Sequence, residues 1–291
     1  MRKQGVFNIK AKCNYYRSHP GFRRAPILTV ARLLWWGWHC VLGRQVIAKL
    51  PRWGLHIVLP VQWRGVGKNI FLFRENYEPE LAYLENLLSA GRVFVDVGAC
   101  LGIYALAASR LVGERGRVLA FEPASKCLTA LHRSLELNRI SNVRTWRVAL
   151  LDRSSRARLY HHPYAGSDAL SPVSNGAGGF EEVDTGTLDE KLQEACIPHV
   201  DVVKVDAEGA EELIIRGAIS MLTSARPTII FEHNPEAANR LGLSGYGAWD
   251  LLKRLGYRFY LLHDSGSLSG IQSPPPPPVR NVIAVHPAGA A

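Results

Sequence analysis

From residue 92 onward the chain alternates short apolar runs with amphipathic segments. Val93-Phe-Val-Asp-Val97 is a run of β-formers that ends in a glycine turn. The spacing that follows predicts a helix over 103–112, closed by Gly113. A strand at 117–121, a helix at 125–138 and a strand at 143–148 continue the order. The alternation resumes with a strand at 200–205, a helix at 210–222 and a strand at 227–231, then a helix at 246–255 and a strand at 257–262. This succession predicts an α/β fold with a mostly parallel sheet covered by helices. A last strand at 281–285 follows five consecutive prolines at 274–278 and is expected to run antiparallel at the sheet edge.

Between 151 and 198 the pattern loses its regularity. A strand-like stretch at 157–161, a Gly/Ser/Asn-rich loop at 165–179 and a helix near 188–195 read as an insertion in the sheet domain. Upstream, 54–60 and 69–73 read as short strands. Residues 80–90 read as a helix, with Leu81, Leu84, Leu87 and Leu88 at helical spacing. No repeat of 20–50 residues is present. The chain divides near residue 75, into an N-terminal arm over 1–74 and a sheet domain over 75–291.

Composition sharpens that division. The 291 residues are 47% hydrophobic and 21% charged, which excludes a disordered chain. Five cysteines with no C-x-x-C pair argue against a disulfide scaffold or a zinc ribbon, so a reducing, cytoplasmic setting is expected. The formal net charge is +10, but fourteen Lys and Arg and no acid precede Glu75. The remaining 21 bases face 25 acids, so a basic arm precedes a mildly acidic body. Such an arm suits phospholipid or nucleic acid, and equally a solvated tail. Within it, residues 26–42 are apolar but broken by Arg32 and His39. That length falls short of a membrane span. The expectation is a helix packing its apolar stripe on the body, with peripheral membrane contact through residues 26–42 as the second reading.

The sharpest local chemistry is Val95-Asp96-Val97-Gly98-Ala99-Cys100-Leu101-Gly102, a strand, an acid, glycines and then a helix. Open α/β sheets bind ligands at that carboxyl edge. A dinucleotide fingerprint would begin with glycine where Asp96 stands. An acid there repels a pyrophosphate but suits the ammonium and sulfonium of S-adenosylmethionine. Phe121-Glu122-Pro123 ends the next strand, where a carboxylate accepts both ribose hydroxyls; Glu122 would otherwise serve as a helix-start acid. Leu150 and Asp152, after the third strand, fall where an adenine would lie.

Lys204, Asp206, Glu208 and Glu211 crowd a later strand end. That crowding points to proton abstraction or a hard metal ion, or else to a salt-bridged helix start. Glu232-His233 repeats the pattern, with His233 as a candidate general base. His161-His162 has no partner at metal-ligand spacing, so a zinc site has little support.

Taken together the chain resembles the FkbM family of S-adenosylmethionine-dependent methyltransferases, over about 77–287. The matching pieces are Tyr77-Glu78-Pro79-Glu80, Phe94-Val-Asp-Val-Gly-Ala-Cys-Leu-Gly102 and Ala120-Phe-Glu-Pro123. They continue with Thr187-Leu-Asp189, Lys204-Val-Asp-Ala-Glu-Gly-Ala-Glu211, Ile230-Phe-Glu232 and Leu255-Gly-Tyr257. The resemblance implies a Rossmann-like class I methyltransferase with a mostly parallel seven-stranded sheet and an antiparallel edge strand, to which the charge count adds a basic N-terminal extension. It implies a cofactor site at Tyr77, Glu78, Asp96, Gly98, Ala99, Cys100, Gly102, Glu122, Pro123, Leu150 and Asp152, and methyl transfer to a hydroxyl of a sugar or natural product. Asp206, Glu208, His233 and Lys204 are the catalytic candidates, Asp206 first, because it ends the strand beside the switch point. Cys100 stands where the family usually has asparagine. The competing readings are a nicotinamide-dependent oxidoreductase, a nucleic-acid binder or RNA methyltransferase using the arm, and a membrane-associated binding protein.

Overall fold

A computed structural model describes residues 16–161, 168–170, 179–276 and 280–289. Two helices open it, α1 (Pro20–Arg24) and α2 (Pro26–Leu42). Proline begins each of them, where its missing N–H costs nothing, and Gly43 closes α2 in the left-handed conformation. A hairpin follows, β1 (Val46–Leu50) with β2 (Leu55–Leu59). Helices α3 (Val66–Phe73) and α4 (Pro79–Leu87) lead into the sheet.

The predicted strand at 69–73 is therefore part of a helix. Ile70, Phe71, Leu72 and Phe73 are all buried. A short run buried on every side carries no periodicity that separates strand from helix. Here tertiary packing decides: the Trp36 and Phe71 rings lie 5.1 Å apart, and Arg32 donates to the Leu72 carbonyl at 2.8 Å.

The regular part comprises β3 (Val93–Val97), α5 (Ile103–Val112), β4 (Arg117–Phe121), α6 (Ser125–Leu137) and β5 (Val143–Trp146). The irregular stretch holds β6 (Ala149–Leu150), β7 (Ser155–Tyr160), β8 (Phe180–Gly186) and α7 (Leu188–Glu194). There β6, β8 and β7 form a separate three-stranded sheet, to which the unpredicted β8 contributes its central strand. Much of the 165–179 loop, His162 and part of the 274–278 proline run lie outside the described residues.

The chain then runs through β9 (Val202–Val205), α8 (Glu211–Arg216), α9 (Ile219–Ser224), β10 (Thr228–His233), α10 (Pro235–Arg240) and α11 (Gly247–Arg254). It ends with β11 (Arg258–Leu262), β12 (Leu268–Ile271) and β13 (Arg280–Val285). The single helix predicted over 210–222 is two. A Cβ on Gly217 would meet the Leu151 carbonyl oxygen at 2.1 Å, so the chain turns there. Asp189 caps the second helix from outside, accepting from the Ser220 and Met221 N–H groups at 2.9 Å.

The main sheet has the order β12-β11-β13-β10-β9-β3-β4-β5. The pairings from β10 through β5 are parallel, and those at β13 and β12 antiparallel. Seven strands make the expected mostly parallel sheet, and β12 adds an eighth as a hairpin. The last strand is antiparallel, as expected, but it lies between β10 and β11 rather than at the edge. Its Val282, Ile283 and Ala284 are wholly buried, and an interior place is what buries them on both faces.

Successive residues of each strand face opposite layers. Phe94, Val118, Val202 and Ile230 face the layer that holds α4, α5 and α6. Val95, Leu119, Val203 and Ile229 face the layer of α7, α8 and α11. The first layer also takes in Trp36, the β1–β2 hairpin and α3, so most of the segment between α2 and α4 shares the body's core. The hairpin is fastened to α6: the Val58 N–H donates to Ser134 Oγ at 2.9 Å, and the His56 N–H to Asn138 Oδ1 at 2.8 Å.

Candidate active site

Strand order reverses between β3 and β9, and the carboxyl ends of both strands open there into a cleft. Register sets Asp96 directly beside Lys204. Both lie on the face that carries Phe94 and Val202, as does Glu232 on β10. The cleft and the open solvent at its mouth hold about 1160 Å³ of space between them. Its lining includes Tyr77, Glu78, Asp96, Gly98, Ala99 and Cys100.

The turn after β3 forms the floor. The Gly98 and Ala99 N–H groups donate to the Phe121 carbonyl at 2.9 and 3.1 Å. Gly98 has φ 76°, and a Cβ there would lie 1.8 Å from the Asp206 carbonyl oxygen, so the β3 and β9 loops touch only because this residue lacks one. Cys100 has φ 49° without being glycine. Asparagine tolerates that conformation best among side-chain-bearing residues, which gives a backbone reason for its usual place there. The Cys100 N–H donates to Glu122 Oε2 at 2.7 Å, and the Ala124 N–H to Oε1 at 2.8 Å. Both bonds orient a carboxylate whose remaining lone pairs can serve ribose hydroxyls. Burial pushes Glu122 up to about 7.

Asp96 is almost wholly buried, and neither carboxylate oxygen has a partner at full hydrogen-bond geometry among the described residues, although the Ala105 backbone approaches closely enough to favour the charged form. Burial pushes it up to about 6, with Lys204 opposing. An unpaired buried carboxylate is costly, and a ligand ammonium removes that cost. The donor set therefore fits the amino-acid and ribose ends of S-adenosylmethionine.

The Lys204 ammonium donates to Asp206 Oδ2 at 2.9 Å and lies 4.7 Å from the Tyr104 ring centre. Burial alone lowers its pKa, but Asp206, Asp96 and Glu78 reverse that and raise it, so it stays charged. Tyr104 donates to Glu78 Oε2 at 2.5 Å, and burial raises Glu78. Glu208 has φ 52° in the turn after β9, and burial with Asp206 and Glu211 pushes it up to about 7. Glu211 serves that turn, accepting from the Ala207 N–H at 2.9 Å and the Gly209 N–H at 3.3 Å.

Gly98, Ala99, Cys100, Glu122, Pro123, Leu150, Tyr77, Glu78, Lys204, Asp206 and Glu208 all line the cleft, and Gly102 begins α5 beneath it. Three candidates are not among the lining residues: Gly102 (the N-cap of α5), Asp152 and His233. Asp152 is absent from the lining and its nearest ionic neighbour is Arg153 at 3.9 Å, because β6 leaves the main sheet to pair with β8 and carries the chain away. His233 points to the opposite layer, buried, with its ring 5.8 Å from that of Tyr246. Alternation puts its neighbour Glu232 in the cleft instead. Burial, then Asp206, Glu211 and Glu208, raise Glu232 well above the carboxylate range.

The cleft lining also includes Tyr104 and Asp168, which no motif marks, and Glu232, which the strand-end pattern marks only together with His233. Strand parity with Lys204 could have identified Glu232. Nothing in the Gly/Ser/Asn-rich loop marked Asp168, which lines the cleft near Leu170 and lies 3.2 Å from His161 Nδ1. Among the described residues no cluster of three or more His, Cys, Asp and Glu side chains has metal-binding geometry.

A second cleft, lined by His19, Glu80, Leu262, Asp264, Arg280 and Asn281, adjoins the first. Tyr77, Glu78, Asp206 and Glu232 line both.

A doubly wound sheet with acids at the tips of two adjacent strands, opening on a polar cleft, is a nucleoside-binding arrangement of the methyltransferase kind. The model of the Methyltransferase FkbM domain matches residues 96–259, more than half of the chain, and the chain belongs to that family. It is an S-adenosylmethionine-dependent methyltransferase. Methyltransferase sdnD of Sordaria araneosa is 27% identical over 177 residues, covering 50% of this chain and 68% of that protein. A methyltransferase FkbM structure from Methylobacillus flagellatus aligns at TM-score 0.44 and 16% identity, over 76% of this chain and 53% of that one. Aeropyrum pernix fibrillarin, solved with bound S-adenosyl-L-methionine, aligns at TM-score 0.40 and 15% identity, over 71% and 74%.

Proposed function

We propose that the enzyme methylates a hydroxyl group of a polyhydroxylated small molecule, such as a sugar or a natural product, with Asp206 as the general base. One observation carries this reading: Asp206 and Glu232 line both the cofactor cleft and the adjoining one. The second cleft presents Glu78, Glu80, Asp206, Glu232 and Asp264 with Arg280 and Asn281, a lining rich in partners for several hydroxyls.

S-adenosylmethionine, when bound, supplies an electrophilic methyl group on a sulfonium centre. The residues of the chain do the rest. Asp96 and Glu122 would hold its ammonium and ribose ends, with Tyr77, Glu78 and Leu150 closing the walls. Asp206 accepts the hydroxyl proton as the oxygen attacks. Lys204 does not act as a base, because its neighbours keep it protonated; it fixes the Asp206 carboxylate by their 2.9 Å contact. Glu208 and Glu232 accept or donate hydrogen bonds to the acceptor. Positioning two reactants across a shared wall supplies much of the rate in such a displacement.

The test is Asp206→Asn, assayed with labelled cofactor against a panel of glycosides, phenols and RNA. The expected result is ether-linked label in a hydroxylated small molecule, a turnover loss of about 10²–10⁴-fold and S-adenosylhomocysteine affinity close to wild type. Label confined to RNA overturns the acceptor class. Equal losses of affinity and turnover overturn the role of Asp206.

A further inference from the structure

Helix α2 is inside out. A surface helix of a soluble protein buries its apolar stripe and exposes its polar one. In α2 the buried residues are Thr29 and Trp36, and Arg32 reaches inward to the Leu72 carbonyl. The outer face carries Ile27, Leu34, Trp38 and Val41, which are 86, 72, 62 and 69% exposed. At 3.6 residues per turn those four fall within an arc of about 60°. Trp35 borders the arc, and Trp63, also exposed, lies beside Gly37 on its flank. Contiguous exposed apolar surface of this kind marks a contact site.

Charge narrows the occupant. Exposed Arg23 and Arg24 precede α2, and exposed Arg44 follows Gly43. None of the three forms an ion pair with the described residues, though Arg24 is turned to the body, donating to Asn76 Oδ1 at 2.6 Å, which leaves Arg23 and Arg44 as the outward charges. No acid occurs before Glu75. A second copy laid antiparallel on this face would set arginines against arginines. An anionic phospholipid surface meets both features: headgroups for the flanking arginines and acyl chains for the apolar arc. Tryptophan, with an apolar body and one N–H, suits that boundary. No helix among the described residues is long and apolar enough to cross a membrane, so α2 would lie in the interface plane.

We propose that the α2 face docks the enzyme on an anionic phospholipid bilayer. The helix is firmly mounted for this: Trp36 packs on Phe71 and donates to the Gln62 carbonyl at 2.8 Å. It rests on α3, whose Val66 and Ile70 line the cofactor cleft.

Flotation of the full-length chain tests this, with vesicles of phosphatidylcholine alone and of phosphatidylcholine with phosphatidylserine, at low and high salt. The expected result is co-flotation with the phosphatidylserine vesicles, weakened by salt. The double variant Leu34→Ser/Trp38→Ser should lose at least about tenfold in partitioning, since each residue contributes buried apolar area. Its melting temperature and its response to S-adenosylhomocysteine should match wild type, because both side chains face solvent. Failure of the wild type to float with either vesicle overturns the proposal. So does equal flotation of the variant, which would assign binding to the basic residues alone. A wild-type dimer that the double variant abolishes, without vesicle binding, assigns the face to a second copy and overturns it too.

Discussion

The carboxyl ends of β3, β4 and β9 and the outer face of α2 depart from ordinary burial in opposite senses. At the strand ends, Asp96, Glu122 and Lys204 are buried ionisable groups, and among the described residues the Asp96 oxygens have no partner at full hydrogen-bond geometry, with only the Ala105 backbone and the Lys204 charge to offset their burial. On α2, large apolar side chains stand in solvent while Thr29 and Trp36 face the body. Each departure raises the free energy of the isolated protein, the first by desolvating charge and the second by hydrating hydrocarbon. Each is relieved by a partner of opposite character: a cationic nucleoside amino acid in the first case and a lipid surface in the second. Read this way, departures from good packing indicate ligands, and their sign indicates the ligand's chemistry.

Packing mutants separate the two sides of α2 most strongly. Trp36→Ala should destabilise the protein by about 3–5 kcal/mol, because the indole fills the core between α2 and α3. Trp38→Ala, two residues on, should change stability by less than about 0.5 kcal/mol. Chemical denaturation of both variants checks the contrast, and similar losses would mean that the outer face is packed after all.

Asp96→Asn probes the other region with a smaller effect. Affinity for S-adenosylhomocysteine should fall by at least about tenfold, roughly 1.4 kcal/mol. The ligand-free protein should change little in stability, since the substitution removes the desolvation cost of a buried carboxylate together with its attraction to Lys204. Calorimetry with a thermal melt reads both quantities. A destabilised variant with unchanged affinity would make Asp96 structural.

The smallest expected effect is on pH. Asp96 is pushed up to about 6, and Glu122, Glu208 and Glu211 to about 7. In each case the folded value lies above that of the unfolded chain. The folded state therefore binds protons more tightly, and the stability of the ligand-free protein should fall as pH rises from about 5 to about 7. Cofactor affinity should rise over the same window, because ionised Asp96 and Glu122 are the forms that bind a cation and hydroxyls. Opposite slopes for stability and affinity are the signature, and parallel slopes would contradict it. The α2 variants should leave both slopes unchanged.

Much of the cofactor half was legible because its parts are local. Asp96 through Gly102 is one strand–turn–helix, and Glu122 follows from the next strand end. Lys204 and Asp206 crowd a single strand tip that any reading of the chain exposes. The acceptor half was legible only in outline. Choosing between Glu232 and His233 requires knowing which sheet face meets the cleft, and adjacent residues of one strand give opposite answers. Asp152 lies outside the cleft lining because β6 pairs with β8 rather than with the main sheet, a departure with no local signal. Asp168 arrives from a loop whose composition predicts only that it is a loop.

Residue order alone dictates the alternation of strands and helices, the acids at two strand tips, the family and the charge asymmetry about Glu75. These depend on spacing and residue type within short windows, where backbone periodicity acts directly. Long-range packing is what makes residues 69–73 part of a helix, sets β13 inside the sheet, turns Glu232 rather than His233 to the cleft, and points the apolar side of α2 outward. Each of these is a choice between conformations or faces that are locally close in free energy. Contacts between segments distant in the chain, whose closeness no short window records, resolve it.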